Sequence, residues 1–162
     1  MIGVRTAEMA IGWHIQGTRA EADLAVLDTV PMGSRIAVAA ACGGRWQMDG
    51  FQHLPSMAVV RRDAFVNTNF DIKGAQPMDV IYRPGRGYHN FQSVTVSGGA
   101  VPCKFPPLQK WLAELPYENF DYVWTFGVDA KAPWLALQAR GPVSRLYKIS
   151  HARPAPAGPG GG

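Results

Sequence analysis

Apolar residues recur at helical spacing near the start of the chain. Ile11, Ile15, Ala22 and Val26 fall on one side, with Leu24 and Leu27 one face over, and this spacing predicts a helix over Thr6–Thr29. Thr6 is placed to cap it, Gly12 and Gly17 each weaken it by about 1 kcal/mol relative to alanine, and Pro31 and Gly33 end it. Trp13 is read as core, the alternative being a place at a membrane interface. Arg35–Ala41, Arg-Ile-Ala-Val-Ala-Ala-Ala, is short, apolar and bounded by a Pro-Met-Gly-Ser turn, which predicts a strand buried on both faces.

Further along the pattern shortens. Met57–Val60 predicts a second strand, closed by Arg61, Arg62 and Asp63. Ala64–Phe70 reads as a helical turn or a loop carrying Phe65 and Phe70 inward, and Met78–Tyr82 as a third strand. Pro84, Gly85 and Gly87 make 83–90 a loop. Val94-Thr-Val alternates like an edge strand before Gly98 and Gly99. Pro106–Leu115 predicts a helix with Leu108, Leu112 and Leu115 on one face beside Trp111, and Pro116 stops it. Phe120–Phe126 is rich in aromatic and β-branched residues and predicts a strand. Ser144–Ile149 alternates and predicts a final edge strand. From His151 onward proline, alanine and glycine dominate, and a disordered tail is expected over 151–162. The order of elements implies one α/β domain over 1–150: a small, mostly parallel sheet with helices on its faces and an antiparallel edge strand.

Composition narrows what such a domain does. Charged residues are 17% of the 162-residue chain, fewer than the roughly 25% of typical soluble proteins. That fits a surface resting against a partner or a membrane, and equally a small protein with a modest surface. The net charge is +4, but the basic residues are scattered and form no nucleic-acid patch. Cys42 and Cys103 are the two cysteines; with no Cys-x-x-Cys they exclude zinc-ribbon and thioredoxin-type sites. Whether they pair is open at this stage, because sequence does not bring two thiols together. No apolar run reaches the length of a membrane span, and Arg5, Glu8 and His14 interrupt any signal-peptide core, so targeting information is expected upstream of Met1 if the chain works outside the cytoplasm.

Candidate chemistry is thin. The glycines after Cys42 lack Gly-x-Gly-x-x-Gly spacing, and no nucleotide or other cofactor is expected. His53 follows Asp49 by four residues, but Gly50 and Pro55 argue for a loop, and two donors fall short of a metal set. Tyr88 and His89, with Asn90, offer stacking and hydrogen bonds to a polar ligand such as a sugar. Arg61 and Arg62 lie at the end of a predicted central strand, where open parallel sheets bind ligands; paired guanidinium groups there suit a phosphate, with Asn67 and Asn69 as neighbours. The competing reading pairs these arginines with Asp63 or Asp71. Nucleophilic catalysis lacks a Gly-x-Ser-x-Gly elbow, and Ser56, Ser93, Ser97 and Cys103 have no evident base. Asp121 and Asp129 flank the aromatic strand and are read as strand-end polar residues. No catalytic residue is expected.

The segments Pro31-x-Gly33-x-Arg35-Ile36-Ala37, His53-Leu54-Pro55, the run from Ala58 to Val66, Gln76-Pro77, the Phe120–Trp124 strand and the closing run from Ser144 to Lys148 resemble, in order, the C-terminal extracytoplasmic domain of bacterial polytopic membrane proteins that are glycosyltransferase-like. Those are similar to transferases using lipid-linked sugars. The resemblance spans roughly residues 5 to 150. It implies an accessory domain at the periplasmic face of the inner membrane, non-catalytic alone. Its partner would be the transmembrane part of the same or another protein, and it would contact a glycan or a polyprenyl-phosphate headgroup. In that family the catalytic acids lie in the membrane part. Without an upstream membrane segment the expected location is cytoplasmic, and the alternative function is a stand-alone interaction domain.

Overall fold

Tertiary structure forms around one strand that is covered on both faces and both edges. A computed structural model describes residues 2–42, 53–68, 95–98 and 103–151. Its elements are α1 (Ile2–Leu24), β1 (Arg35–Ala41), α2 (Met57–Arg62), β2 (Phe65–Val66), β3 (Thr95–Val96), α3 (Leu108–Glu114), β4 (Tyr122–Phe126), β5 (Leu135–Arg140) and β6 (Ser144–Ile149). The six-stranded sheet runs β2-β1-β4-β6-β5, with β3 also on β1. Strands β2, β3 and β4 are parallel to β1, whereas β6 is antiparallel to β4 and to β5. The α/β class and the mostly parallel sheet follow the sequence reading.

β1 earns its place through small residues. Ile36, Val38 and Ala40 point to one face and pack with Val66, Tyr122, Trp124, Phe126, Leu146 and the turn residues Val26, Leu27 and Val30. Ala37 and Ala39 point to the other and pack with Phe120, Val123, Tyr147, Ile149 and Leu108, Trp111, Leu112 and Leu115 from α3 and its end. The alternation of strand side chains thus builds two cores, one per face. Alanine on β1 lets the large residues of β4 and α3 approach closely.

Four elements depart from the sequence reading. Met57–Arg62 is helix, not strand. A four-residue apolar run has no readable period, and the flanks decide: Pro55 opens a 3-10 turn ahead of it, and Asp63 closes it in the left-handed conformation. Ser144–Ile149 is a strand as expected but lies inside the sheet; the edge is β5, which sequence reading missed. A register shift between Leu137 and Ala139 interrupts its alternation, as a bulge does. Phe65 and Val66 form a short parallel strand rather than a helical turn or a loop.

The fourth departure is α1. It runs from Ile2 to Leu24 and continues as a 3-10 turn to Thr29. Leu24, Val26 and Leu27 are buried as expected, but Ile11 and Trp13 are 60% and 74% exposed, which overturns the core reading of Trp13. Length is the reason. At about 1.5 Å per residue, 23 residues span about 34 Å, while five to seven strand residues span only about 17–23 Å. The helix overhangs the sheet. Its end is fixed by Asp23, fully buried, whose Oδ1 accepts from the Val143 and Ser144 amides at 3.1 and 2.9 Å, and by Glu21, which receives Arg61.

Met78–Tyr82, Phe70 and 152–162, for which a strand, an inward ring and a disordered tail are expected, lie outside the described residues. No described helix is long and apolar enough to cross a membrane.

Candidate functional site

Parallel strands place their carboxyl ends on one rim, the usual ligand side of such sheets. Here that rim carries Cys42 after β1, Ser97 after β3, and Gly127 to Asp129 after β4, whereas β2 pairs with the first residues of β1 and ends beside its middle. β6 runs the other way and starts there, adding Ser144 and Arg145.

Asn67 fills the gap along the edge of β1. β2 pairs with β1 at Arg35 and Ile36, and β3 at Ala40 and Ala41. Between them the Val38 amide donates to Asn67 Oδ1 at 2.7 Å, and Asn67 Nδ2 donates to the Val38 carbonyl at 3.3 Å. A buried side-chain amide therefore stands in for a missing stretch of strand, which satisfies a backbone pair that burial would otherwise penalise. Next to it, Thr68 Oγ1 and Ser56 Oγ lie 3.3 Å apart, tying β2 to the start of α2. His53 is exposed at the head of that 3-10 turn, and its carbonyl accepts from the Ser56 amide at 3.1 Å.

The arginine pair lies elsewhere. Because 57–62 is helical, Arg61 and Arg62 occupy the last turn of α2, which delivers the chain to the amino-terminal start of β2, not to a strand's carboxyl end. Arg61 Nη2 donates to both carboxylate oxygens of Glu21 at 2.8 and 2.6 Å. Arg62 donates to the Leu27 carbonyl at 2.7 Å and to Asp28 at 2.6 Å. Among the described residues their acidic partners are carboxylates on α1 and the turn after it rather than Asp63, which sequence separation concealed, while Asp71 lies outside the described residues. Asn67 follows β2 whereas the arginines precede it, so the structure does not group them. Tyr88, His89 and Asn69 lie outside the described residues.

The two aspartates flanking β4 are each bound to an arginine. Asp121 accepts from the Arg35 amide, Nε and Nη2 at 2.8, 3.0 and 2.6 Å, joining the starts of β1 and β4. The Arg35 side-chain hydrogen bonds hold its carboxyl below the usual carboxylate range, against partial burial; the Arg35 amide and the charges of Arg35 and His151 add to the lowering. Asp129 lies 3.2 Å from Arg145 at the other end of the strand. Arg145 Nη1 also donates to the Gly141 and Ser144 carbonyls at 3.1 and 2.8 Å.

A disulfide joins Cys42 to Cys103, closing the question left by sequence. Among the described residues no group of three or more His, Cys, Asp or Glu is arranged to hold a metal. A shallow apolar groove of about 530 Å³ lies beside β5, lined by Ala130, Lys131, Pro133, Leu135, Leu137 and Tyr147; among the described residues, Arg61, Arg62, His53 and Asn67 do not line it. The chain matches no family model, no curated protein and no solved structure.

Proposed function

We propose that this chain is the extramembrane accessory domain of a membrane glycosyltransferase-like protein, non-catalytic by itself, with the carboxyl-end rim of its sheet turned toward a glycan or a lipid-phosphate headgroup. The observation that carries this reading is α1. At 3.6 residues per turn, Val4, Ile11 and Ile15 lie on one side of it and Met9 and Trp13 on the opposite side, all exposed. A helix with apolar side chains on two sides is a helix meant to be covered. Gly3, Gly12 and Gly17 weaken it further in water. Docking against the membrane-spanning part of the same or a partner protein supplies that cover. The disulfide supports an extracytoplasmic location, since such bonds persist where the surroundings are oxidising.

Two tests bear on this reading. The coding DNA upstream of Met1 should continue in frame into a series of apolar spans; a stop codon there removes the membrane parent. Vesicles containing a polyprenyl phosphate should bind the purified chain more tightly than vesicles lacking it, by about tenfold, and Arg61→Ala with Arg62→Ala, away from the rim and paired to Glu21 and Asp28, should leave that binding within about twofold. Equal binding to the two kinds of vesicle, by a chain confirmed folded by circular dichroism, withdraws the headgroup reading.

A further inference from the structure

We propose that the Cys42–Cys103 disulfide is a local redox clamp on the rim: oxidised, it holds β3 against β1, and reduced, it releases β3 and the 103–107 segment while the rest of the sheet stays folded.

The two cysteines bracket β3. On one side the Cys42 amide donates to the Val96 carbonyl at 3.0 Å, extending the β1–β3 pairing at Ala40 and Ala41 by one rung. On the other the Ser97 amide donates to the Pro106 carbonyl at 2.9 Å, and Ser97 bridges to Pro107. The disulfide joins these flanks, with a sequence separation of 61 residues between them. Among the described residues β3 pairs with β1 over two residues, and Val96 is its one side chain in the α3-side core; so short a strand has too little pairing and too little apolar contact to stay docked by itself. The body of the sheet is built differently. β1 and β4 share five register pairs, as do β4 and β6, and both faces of β4 are buried. Loss of the cross-link therefore falls on β3 first.

The chemistry is ordinary exchange with a dithiol reductant. Cys103 is half-buried beside exposed Lys104 and Phe105, while Cys42 is buried, so the attacking thiolate reaches the Cys103 sulfur. A sulfur–sulfur bond forms there, the Cys42–Cys103 bond breaks, and the electron pair leaves on Cys42. The second thiol of the reductant then displaces Cys103 and departs as a cyclic disulfide, leaving two protein thiols and an oxidised reductant. Release of β3 exposes unpaired backbone along Ala40 and Ala41, a free edge of the kind that recruits another strand.

Amide hydrogen exchange on the full chain, with and without dithiothreitol, tests this. Reduction should speed exchange at Cys42 and Ser97 by about tenfold or more while Tyr122–Phe126 and Ser144–Ile149 stay within about twofold, and reoxidation should restore protection. The Cys42→Ser, Cys103→Ser variant should reproduce the reduced pattern. Unchanged exchange at Cys42 and Ser97 after complete reduction, verified by alkylation mass, overturns the clamp. Uniform loss of protection through β4 and β6 overturns it too, because the bond would then be a staple for the whole domain.

Discussion

Asp23→Ala should unlatch α1 from the β5–β6 hairpin. Asp23 is fully buried, and its Oδ1 accepts from two backbone amides. Hydrogen bonds to a charged group contribute about 1.5–3 kcal/mol each, and a buried donor left unpaired is costly. Against this, the other carboxylate oxygen is buried with no hydrogen-bond partner among the described residues, and removing a desolvated charge offsets part of the loss. The net expectation is destabilisation by about 3 kcal/mol. With a urea dependence near 2 kcal/mol per molar, the unfolding midpoint falls by about 1.5 M. Asp23→Asn keeps an acceptor at Oδ1 and should lose less than half as much. Gly141 sits in the same knot: a Cβ there would press on Asp23 Oδ1 and stand 2.6 Å from Ser144 Oγ and 3.0 Å from Asp23 Cα. Gly141→Ala should therefore cost about 1–3 kcal/mol through overpacking. Without the Asp23 side chain that pressure eases, so the double variant should be destabilised by less than the sum. A midpoint shift below about 0.3 M for Asp23→Ala, or strict additivity of the pair, refutes the reasoning.

The Arg35–Asp121 pair makes stability depend on acid. Its lowered carboxyl pKa contributes stability that is present above the unfolded value of 3.8 and is lost as pH falls through the folded value. Asp121→Asn should remove that part of the acid slope and cost about 1 kcal/mol at pH 7, a modest figure because a third of each side chain remains solvated; parallel urea midpoints from pH 7 down to pH 2 would check this, and identical slopes would count against it. Trp124, fully buried on β4, should cost about 3–5 kcal/mol on change to alanine, whereas Trp13→Ala on the overhanging helix should stay within about 0.5 kcal/mol; calorimetry or chemical denaturation of both variants separates a core tryptophan from an exposed one.

Much of the architecture was legible residue by residue. β1, β4, β6 and α3 appeared within a few residues of their sequence-read positions, because each is a bounded run whose side chains fit one environment. The seven residues of β1 have no polar position between Arg35 and Cys42, and only a strand buried on both faces accommodates that. What stayed hidden turned on neighbours far away in sequence. Met57–Val60 was ambiguous in period and became helix through its flanks. β5 carries exposed side chains and a register shift, so only its pairing with β6 identifies it. Asn67 looked like a ligand residue and instead completes the edge of β1, while Arg61 and Arg62 looked like a phosphate fork and meet Glu21 and Asp28.

The sequence by itself determined local form: which runs can be helix or strand, which positions are apolar, where glycine and proline break the chain. These depend on a residue and its near neighbours, and the α/β order follows from them. Tertiary structure alone decided which apolar side chains are covered, which charges meet, and that Cys42 meets Cys103. The physical reason is that burial and electrostatics act through space: Trp13 and Trp124 share one chemistry, and only the length of α1 against the short sheet leaves one in solvent and places the other in the core.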